Sequence, residues 1–183
     1  MNYGRAFGAA LLGLSALGSA CASSNGEVVV KEDKPAAEAS LACELSAPAS
    51  VRSGEPVGVK LRLMNRTSQP VYVLGWRTPF EGLFGNDWQV TLNGAEIPYK
   101  GPMAKRGDPE ADDYVPIAAG GVAEAEVDVS LAYLMKEPGR YKIALRGPLM
   151  DVVTQKAEVP RPLAQHKAMP LSCPTIEVEV TAP

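Results

Sequence analysis

Alternation of apolar and polar residues constrains the fold of this chain more than any other feature. Apolar side chains occupy every second position along six stretches, at residues 41–45, 57–63, 88–92, 123–129, 141–145 and 176–180. A period of two is typical of β-strands that have one face in a core and the other in solvent. The apolar segment 70–76 predicts a further strand.

The segments between these stretches carry turn signals. They are the residues 53–56, Asn93-Gly94, Gly120-Gly121 and Pro138-Gly139, and Asn93-Gly94 predicts a hairpin. Short strands and turns at this spacing predict an all-β domain over residues 41–183, an immunoglobulin-like antiparallel β-sandwich of about seven to eight strands. We expect one short helical turn at residues 130–135 and a long proline-rich loop at residues 159–174.

The first twenty residues have the pattern of a lipoprotein signal peptide and are excluded from the fold. Arg5 precedes an apolar stretch, residues 6–17, which is too short to span a bilayer as a helix. Small residues, Gly18-Ser19-Ala20, stand directly before Cys21, so we expect cleavage before Cys21 and its acylation. The alternative is an ordinary cleavage site beside a coincidental cysteine.

Residues 21–40 are predicted to be the lipidated Cys21 and a flexible tether, because they are rich in Ala, Ser, Lys and Glu. Several acyl chains would hold the protein durably at a membrane. Ala22, rather than an aspartate, follows the cysteine and favours sorting to the outer membrane. The expected location is therefore the bacterial cell envelope, with the membrane contacted through the lipid anchor.

Cys43 and Cys173 lie near opposite ends of the predicted domain. Paired cysteines of an exported chain usually form a disulfide. A metal site needs more ligands, whereas His166 is the chain's single histidine and no Cys-x-x-Cys pair occurs. We therefore expect a Cys43–Cys173 disulfide and no bound metal or cofactor.

The sequence carries no recognisable catalytic motif. His-Glu-x-x-His, Gly-x-Ser-x-Gly and a phosphate-binding glycine loop are all absent, so no catalytic residue is assigned. A formal net charge of −3 argues against nucleic-acid binding. His166 is interpreted as a solvated loop residue. The acidic cluster Asp108, Glu110, Asp112 and Asp113 lacks EF-hand spacing, so a solvated turn is favoured over weak calcium binding.

Several short motifs follow one another between residues 76 and 141. They are Thr78-Pro79-Phe80-Glu81-Gly82, Tyr99-Lys100-Gly101-Pro102, Lys105-Arg106, Asp113-Tyr114, Asp128-Val129-Ser130, Tyr133 and Gly139-Arg140-Tyr141. Over residues 41–147 this series resembles the N-terminal β-sandwich region of the deuterolysin and peptidyl-Lys metalloendopeptidase family, the aspzincins. Phe80 and Val129 each replace a leucine of the family pattern.

The zinc ligands of that family, two histidines of His-Glu-x-x-His and an aspartate in a Gly-Thr-x-Asp context, have no counterpart here. The resemblance therefore implies an accessory module without the catalytic domain. In bacterial members this region is propeptide-like and restrains the protease or helps it fold. The implied partner is a secreted zinc metallopeptidase, toward which the chain acts as an inhibitor or chaperone-like module. The alternative is a structural or adhesive envelope lipoprotein without such a partner.

The densest part of the resemblance is the loop at residues 99–114, in which Gly101, Pro102 and Gly107 are expected to fix the shape. The predicted partner-binding residues are Tyr99, Gly101, Pro102, Lys105 and Arg106. Since some family members select lysine beside the cleaved bond, Lys105 is a candidate pseudo-substrate. The alternative is that Lys105 and Arg106 pair with Asp108, Glu110 or Asp112, or line an edge of the sandwich.

The lipid anchor is testable at Cys21. Cys21→Ser is expected to leave the chain unlipidated, either soluble or retained as a precursor, because serine has no thiol to acylate. Mass spectrometry of the fractionated protein measures this. A Cys21→Ser variant that is processed normally and stays in the membrane fraction would contradict the lipoprotein assignment.

Overall fold

The computed structural model describes residues 40–183, so the predicted signal peptide, Cys21 and nearly all of the tether lie outside the described residues. The described part contains eleven strands and five short 3₁₀ turns. The strands are β1 (Leu41–Ser46), β2 (Ser50–Arg52), β3 (Gly58–Asn65), β4 (Val71–Leu74), β5 (Trp88–Leu92), β6 (Ala95–Glu96), β7 (Tyr114–Ile117), β8 (Val122–Asp128), β9 (Gly139–Leu145), β10 (Val152–Val153) and β11 (Ile176–Thr181). The 3₁₀ turns are Pro79–Glu81, Ala111–Asp113, Val129–Leu131, Lys156–Glu158 and Leu163–Gln165.

These strands form three sheets, with the orders β1-β3-β8, β10-β4-β7 and β2-β11-β9-β5-β6. Neighbouring strands are antiparallel, except that β2 pairs with β11 in parallel. No helix among residues 40–183 is long and apolar enough to cross a membrane. The prediction of an all-β domain is confirmed.

All seven predicted strands occur, as β1, β3, β4, β5, β8, β9 and β11. The expected count of seven to eight strands was too low, because β2, β6, β7 and β10 were not predicted. Three of these four have only two or three residues, too few to display a period. The fourth, β7, contains Pro116, which lowers its strand signal. It is tolerated because β7 is an edge strand of its sheet.

The alternating apolar residues meet in one core. Val59, Leu61 and Leu63 of β3 are fully buried and belong to the same cluster as the inward side chains of the five-stranded sheet. That sheet contributes Trp88, Val90, Tyr141, Ile143, Val178 and Val180. Each such aliphatic side chain stabilises the fold by about 1.5–3 kcal/mol relative to an exposed one. The β1-β3-β8 sheet and the five-stranded sheet are therefore held together by a common apolar interior.

The predicted hairpin is present at Asn93-Gly94. Both residues have positive φ, 51° and 85°, which is the backbone that a two-residue type I′ turn requires. Leu92 pairs with Ala95 and Thr91 with Glu96 across this turn. Glu96 in turn accepts a hydrogen bond from Arg146 of the segment after β9, at 2.6 Å.

The predicted disulfide is confirmed. Cys43 of β1 bonds to Cys173, which lies just ahead of β11, and their Cα atoms are 5.0 Å apart. The two cysteines are 130 residues apart in sequence and both pack against the core. The bond therefore ties the three-stranded sheet that contains β1 to the approach to β11 in the five-stranded sheet.

Removal of this bond tests its contribution to stability. A Cys43→Ser/Cys173→Ser variant is expected to lose about 4–5 kcal/mol of unfolding free energy, because the unfolded chain is no longer closed into a long loop. Calorimetry with and without reductant measures the melting temperature. The parent should melt lower in reductant, whereas the double variant should be insensitive to it. Equal melting temperatures for parent and variant would contradict the expectation.

Candidate functional site

The 99–114 loop is fastened at its base by Tyr99. This residue forms an isolated β-bridge with Tyr133, and the two rings meet edge to face with centroids 5.4 Å apart. The Tyr99 hydroxyl lies 2.6 Å from the carbonyl oxygen of Pro102 and 3.1 Å from that of Leu83. Burial raises the pKa of Tyr99, and the nearby Asp87 and Glu81 carboxylates add to this. The side chain therefore holds the loop in place.

Gly101 is required for the close approach at this base. A Cβ built on Gly101 would lie 2.6 Å from the Tyr99 hydroxyl and 2.9 Å from the Cβ of Ala132. The preceding Lys100 N–H donates to the Ala132 carbonyl at 2.8 Å, which leaves the backbone little room to shift. Pro102 follows and is exposed. Gly107 has open space around its Cα and a negative φ, so the expectation that it fixes the loop is not supported.

Arg106 is held by its own domain. Its guanidinium Nη2 lies 2.5 Å from Oε2 of Glu81, and its central carbon lies 4.7 Å from the Trp76 ring centroid. A guanidinium over an indole face is attracted by the ring quadrupole. Within residues 40–183 it forms no ion pair with the acidic residues that follow it in sequence. Its ion-pair partner is instead Glu81, twenty-five positions earlier in the sequence.

Glu81 joins three segments through its carboxylate. Oε1 accepts the backbone N–H of Arg77, and Oε2 pairs with Arg106. The 3₁₀ turn that carries Glu81 begins at Thr78, whose hydroxyl accepts the N–H of Phe80 at 3.2 Å. Burial raises the pKa of Glu81, and the Arg77 N–H and the Arg106 charge partly oppose this rise.

Arg77 extends these contacts to the start of β5. Its Nε donates to Oδ1 of the buried Asp87 at 2.7 Å, and Asp87 directly precedes Trp88. We call Arg77, Glu81, Asp87 and Arg106 the Glu81 cluster. It connects the 99–114 loop with the segment before β5, so the position of the loop depends on the core strand below it.

Lys105 differs from Arg106, the other charged residue among the predicted contact residues. It is exposed, and within the described residues it forms no ion pair and no side-chain hydrogen bond. Its neighbours on both sides are fixed, because the Ala104 N–H donates to the Phe84 carbonyl at 2.9 Å and Arg106 binds Glu81. The loop therefore presents Lys105 from a fastened backbone, and Lys100 at its base is a second exposed lysine without an ion pair among residues 40–183.

Two carboxylates of the acidic cluster, those of Asp108 and Asp113, accept backbone N–H groups. Oδ1 of Asp108 accepts the N–H of Leu163 at 2.9 Å, and Oδ2 of Asp113 accepts the N–H of Glu110 at 2.7 Å. Glu110 and Asp113 form a reciprocal capping box around the 3₁₀ turn Ala111–Asp113. Residues 40–183 contain no group of three side chains placed to hold a metal ion.

A buried polar cluster behind the loop was not predicted. Asp151 is fully buried and accepts hydrogen bonds from the Tyr114 hydroxyl at 2.9 Å and the Lys167 N–H at 2.8 Å. Arg161 lies 3.5 Å from the same carboxylate. Burial and the Asp151 hydrogen bond raise the pKa of Tyr114 to about 12. The sequence feature that could have indicated this cluster is an aspartate inside the apolar run Leu-Met-Asp-Val-Val at residues 149–153.

His166 lies in the proline-rich loop, as expected, but it is half-buried and not fully solvated. Its Nε2 lies 2.9 Å from the Arg161 carbonyl oxygen, and its ring stands edge-on to Trp76 with centroids 6.3 Å apart. Its Nδ1 is buried without a hydrogen-bond partner. Trp76 is itself buried and contacts His166 as well as Arg106. The indole thus connects the Glu81 cluster with the segment after β10.

An extracellular protease of Aeromonas hydrophila is 31% identical to this chain over 110 residues. The match covers 58% of this chain and 30% of the protease, so the chain corresponds to less than a third of that protein's length. Part of the chain is therefore similar to part of a secreted protease. No protein-family profile matches the chain.

Among solved structures, the DNA-bound alkylpurine DNA glycosylase AlkC of Pseudomonas fluorescens aligns with 80% of this chain and 32% of its own. The TM-score is 0.33 and the sequence identity 14%. At that TM-score the likeness has no bearing on fold or function.

Titration of Glu81 tests whether the carboxyl at the centre of the Glu81 cluster is buried. Its pKa is expected above the ordinary value of 4.5, because burial favours the protonated form. Because the pKa of Glu81 is higher in the folded chain, its protonation stabilises the folded state. This contribution to the unfolding free energy is fully present below the pKa of the unfolded chain and is lost as pH rises through the folded pKa. Arg106→Met should raise the pKa of Glu81 further, since the opposing charge is removed.

Carbon-detected NMR titration of the side-chain carboxyl provides the measurement. Arg140→Met is the matched control, because Arg140 pairs with Glu177 and Glu179 on the five-stranded sheet. The control should leave the pKa of Glu81 unchanged. A Glu81 pKa at or below 4.5 in the parent protein would contradict the burial of this carboxyl.

Proposed function

We propose that this chain is a lipoprotein of the bacterial cell envelope, anchored through Cys21 in the outer membrane, whose immunoglobulin-like domain binds a secreted zinc metallopeptidase. In this role it is an inhibitor or a chaperone-like partner and not itself an enzyme. The observation that carries the proposal is Lys105, an exposed cation without an ion pair within the described residues, on a loop that is fastened on both sides.

The fastening favours binding for an entropic reason. A flexible loop loses conformational freedom when it binds, which costs affinity, whereas a loop held in one conformation has already lost it. Tyr99, Gly101 and Arg106 restrain the loop through contacts within the domain. Their proposed role in binding is to fix the loop, and Lys105 makes the contact.

Lys105 fits the part of a pseudo-substrate. A lysine side chain that points away from a fixed backbone is able to enter a pocket built for lysine, such as the resemblance to peptidyl-Lys peptidases implies. The similarity to part of an extracellular protease supports a connection with secreted proteolysis. The absence of His-Glu-x-x-His from the sequence supports a role without catalysis.

The second candidate function is a structural or adhesive envelope lipoprotein without a peptidase partner. Its support is that most polar groups of the loop find partners inside the domain, as Arg106 does with Glu81 and Asp108 with the Leu163 N–H. A self-contained loop of this kind needs no partner to be stable. Binding measurements with a peptidase distinguish the two functions.

Lys105→Ala is the direct test of the proposal. The purified domain is expected to bind an aspzincin-type zinc peptidase, and Lys105→Ala should weaken binding at least about tenfold, because loss of a buried interfacial charge typically costs 2–5 kcal/mol. Titration calorimetry at low and high salt measures the dissociation constant. Lys156→Ala, at an exposed lysine outside the loop, should change it less than about twofold.

If Lys105→Ala has a small effect that vanishes at high salt, Lys105 acts only as an exposed surface charge and does not enter a pocket. A complete lack of binding to such peptidases would exclude the inhibitor role and leave the structural or adhesive function.

A further inference from the structure

Exposed apolar side chains are concentrated beside the 99–114 loop. Residues 40–183 contain six large apolar residues with exposed side chains, and four of them border adjoining hollows: Phe84, Met103, Leu131 and Leu134. We call these four the apolar face. Leu131 is 78% exposed, which is unusual for a leucine in a domain with a well-formed core. Contiguous exposed apolar surface of this kind marks interaction sites.

Leu131 separates two hollows of similar size. One, of about 420 Å³, lies between Phe84, Pro102 and Leu131. The other, of about 440 Å³, lies between Leu131 and Leu134 and continues to Ile97. Two concave sites side by side fit apolar side chains that project from a protein segment. A membrane surface is flat and would not fill them.

The turn that carries Leu131 is rigid. Oδ1 of Asp128 accepts the N–H groups of Ser130 at 3.0 Å and Val57 at 2.9 Å, which caps the 3₁₀ turn Val129–Leu131. Two residues further on, the Tyr133 hydroxyl donates toward the Trp88 carbonyl at 2.8 Å. These hydrogen bonds therefore hold Leu131 in its exposed position.

Free positive charges border the face. Lys100 and Lys136 line the 440 Å³ hollow, and neither forms an ion pair within residues 40–183. One carboxylate, Glu137, lines the same hollow. Asp128 borders the other hollow with one negative charge, and its Oδ1 accepts the capping hydrogen bonds. The hollow lined by Lys100 and Lys136 thus has one more positive than negative side chain.

We propose that the apolar face binds an extended protein segment in which large apolar side chains alternate with carboxylates. Leucine- or phenylalanine-sized side chains enter the two hollows on either side of Leu131, and the carboxylates meet Lys100 and Lys136. The inference rests in part on the proposed function, because the face adjoins the 99–114 loop. Its test uses no peptidase, so the two proposals can fail separately.

Two synthetic peptides provide the test. Both carry the same alternating leucine and phenylalanine residues, with glutamate at the intervening positions in one and lysine in the other. NMR titration of the full chain should give chemical-shift changes around Leu131 and Leu134 with the glutamate peptide. A Leu131→Ser/Leu134→Ser variant should weaken binding at least about tenfold, as expected for residues at the centre of an interface.

Matched controls are available on the same chain. Leu163→Ser changes an exposed leucine outside the face and should alter the dissociation constant less than about twofold. Lys100→Glu/Lys136→Glu should reverse the preference to the lysine peptide, whereas Lys156→Glu should not. All variants replace exposed residues, so an unchanged melting temperature verifies that each is folded.

Several outcomes would overturn the inference. They are no binding of the glutamate peptide, equal binding of both peptides, or a loss in Leu163→Ser as large as in the double leucine variant. Binding to phosphatidylglycerol vesicles without binding to either peptide would overturn it as well, because the face would then be a membrane contact. A peptidase interaction that depends on Lys105 would survive each of these results.

Discussion

Burial of alternate side chains from β3, β5, β9 and β11 in one core is the constraint on which the rest of the structure depends. It fixes which face of each sheet points inward, and a register shift of one residue would turn every apolar side chain outward. The Cys43–Cys173 bond adds a covalent tie between the β1-β3-β8 sheet and the five-stranded sheet. The loops rest on this interior, so their conformations depend on the positions of the strands below them.

The Glu81 cluster connects the 99–114 loop to the ordered core strands. Asp87 is buried next to Trp88 of the core and holds Arg77, whose N–H binds Glu81, and Glu81 holds Arg106. In each link the accepting carboxylate, of Asp87 or Glu81, is mostly buried, which makes the link stronger than a fully exposed pair. Lys105 is therefore displayed from a restrained backbone, and the Asp128 cap separately restrains the turn that carries Leu131.

Sequence reasoning succeeded where a signal is local and periodic. Alternation located six strands, the apolar segment 70–76 located β4, and Asn93-Gly94 located its hairpin, because each of these signals lies in adjacent residues. It failed for β2, β6 and β10, which are too short to show a period of two. It also failed for β7, because Pro116 is a residue that argues against a strand.

The candidate site was predicted only in part for the same reason. The 99–114 loop was singled out, but the partner of Arg106 was sought among nearby acids, whereas the fold supplies Glu81 from a distant turn. The buried Asp151 and the half-buried His166 were missed, because their partners Tyr114 and Arg161 are brought to them only by the tertiary structure.

The central claim is that the 99–114 loop is already ordered in the free protein, and backbone ¹⁵N relaxation measures this most directly. The account predicts order parameters of about 0.85 for the amides of Lys100, Ala104 and Arg106, equal to those of the core strands. Order parameters below about 0.6 at these three amides would contradict it. The loop would then be mobile, and Lys105 would not be presented from a fixed position.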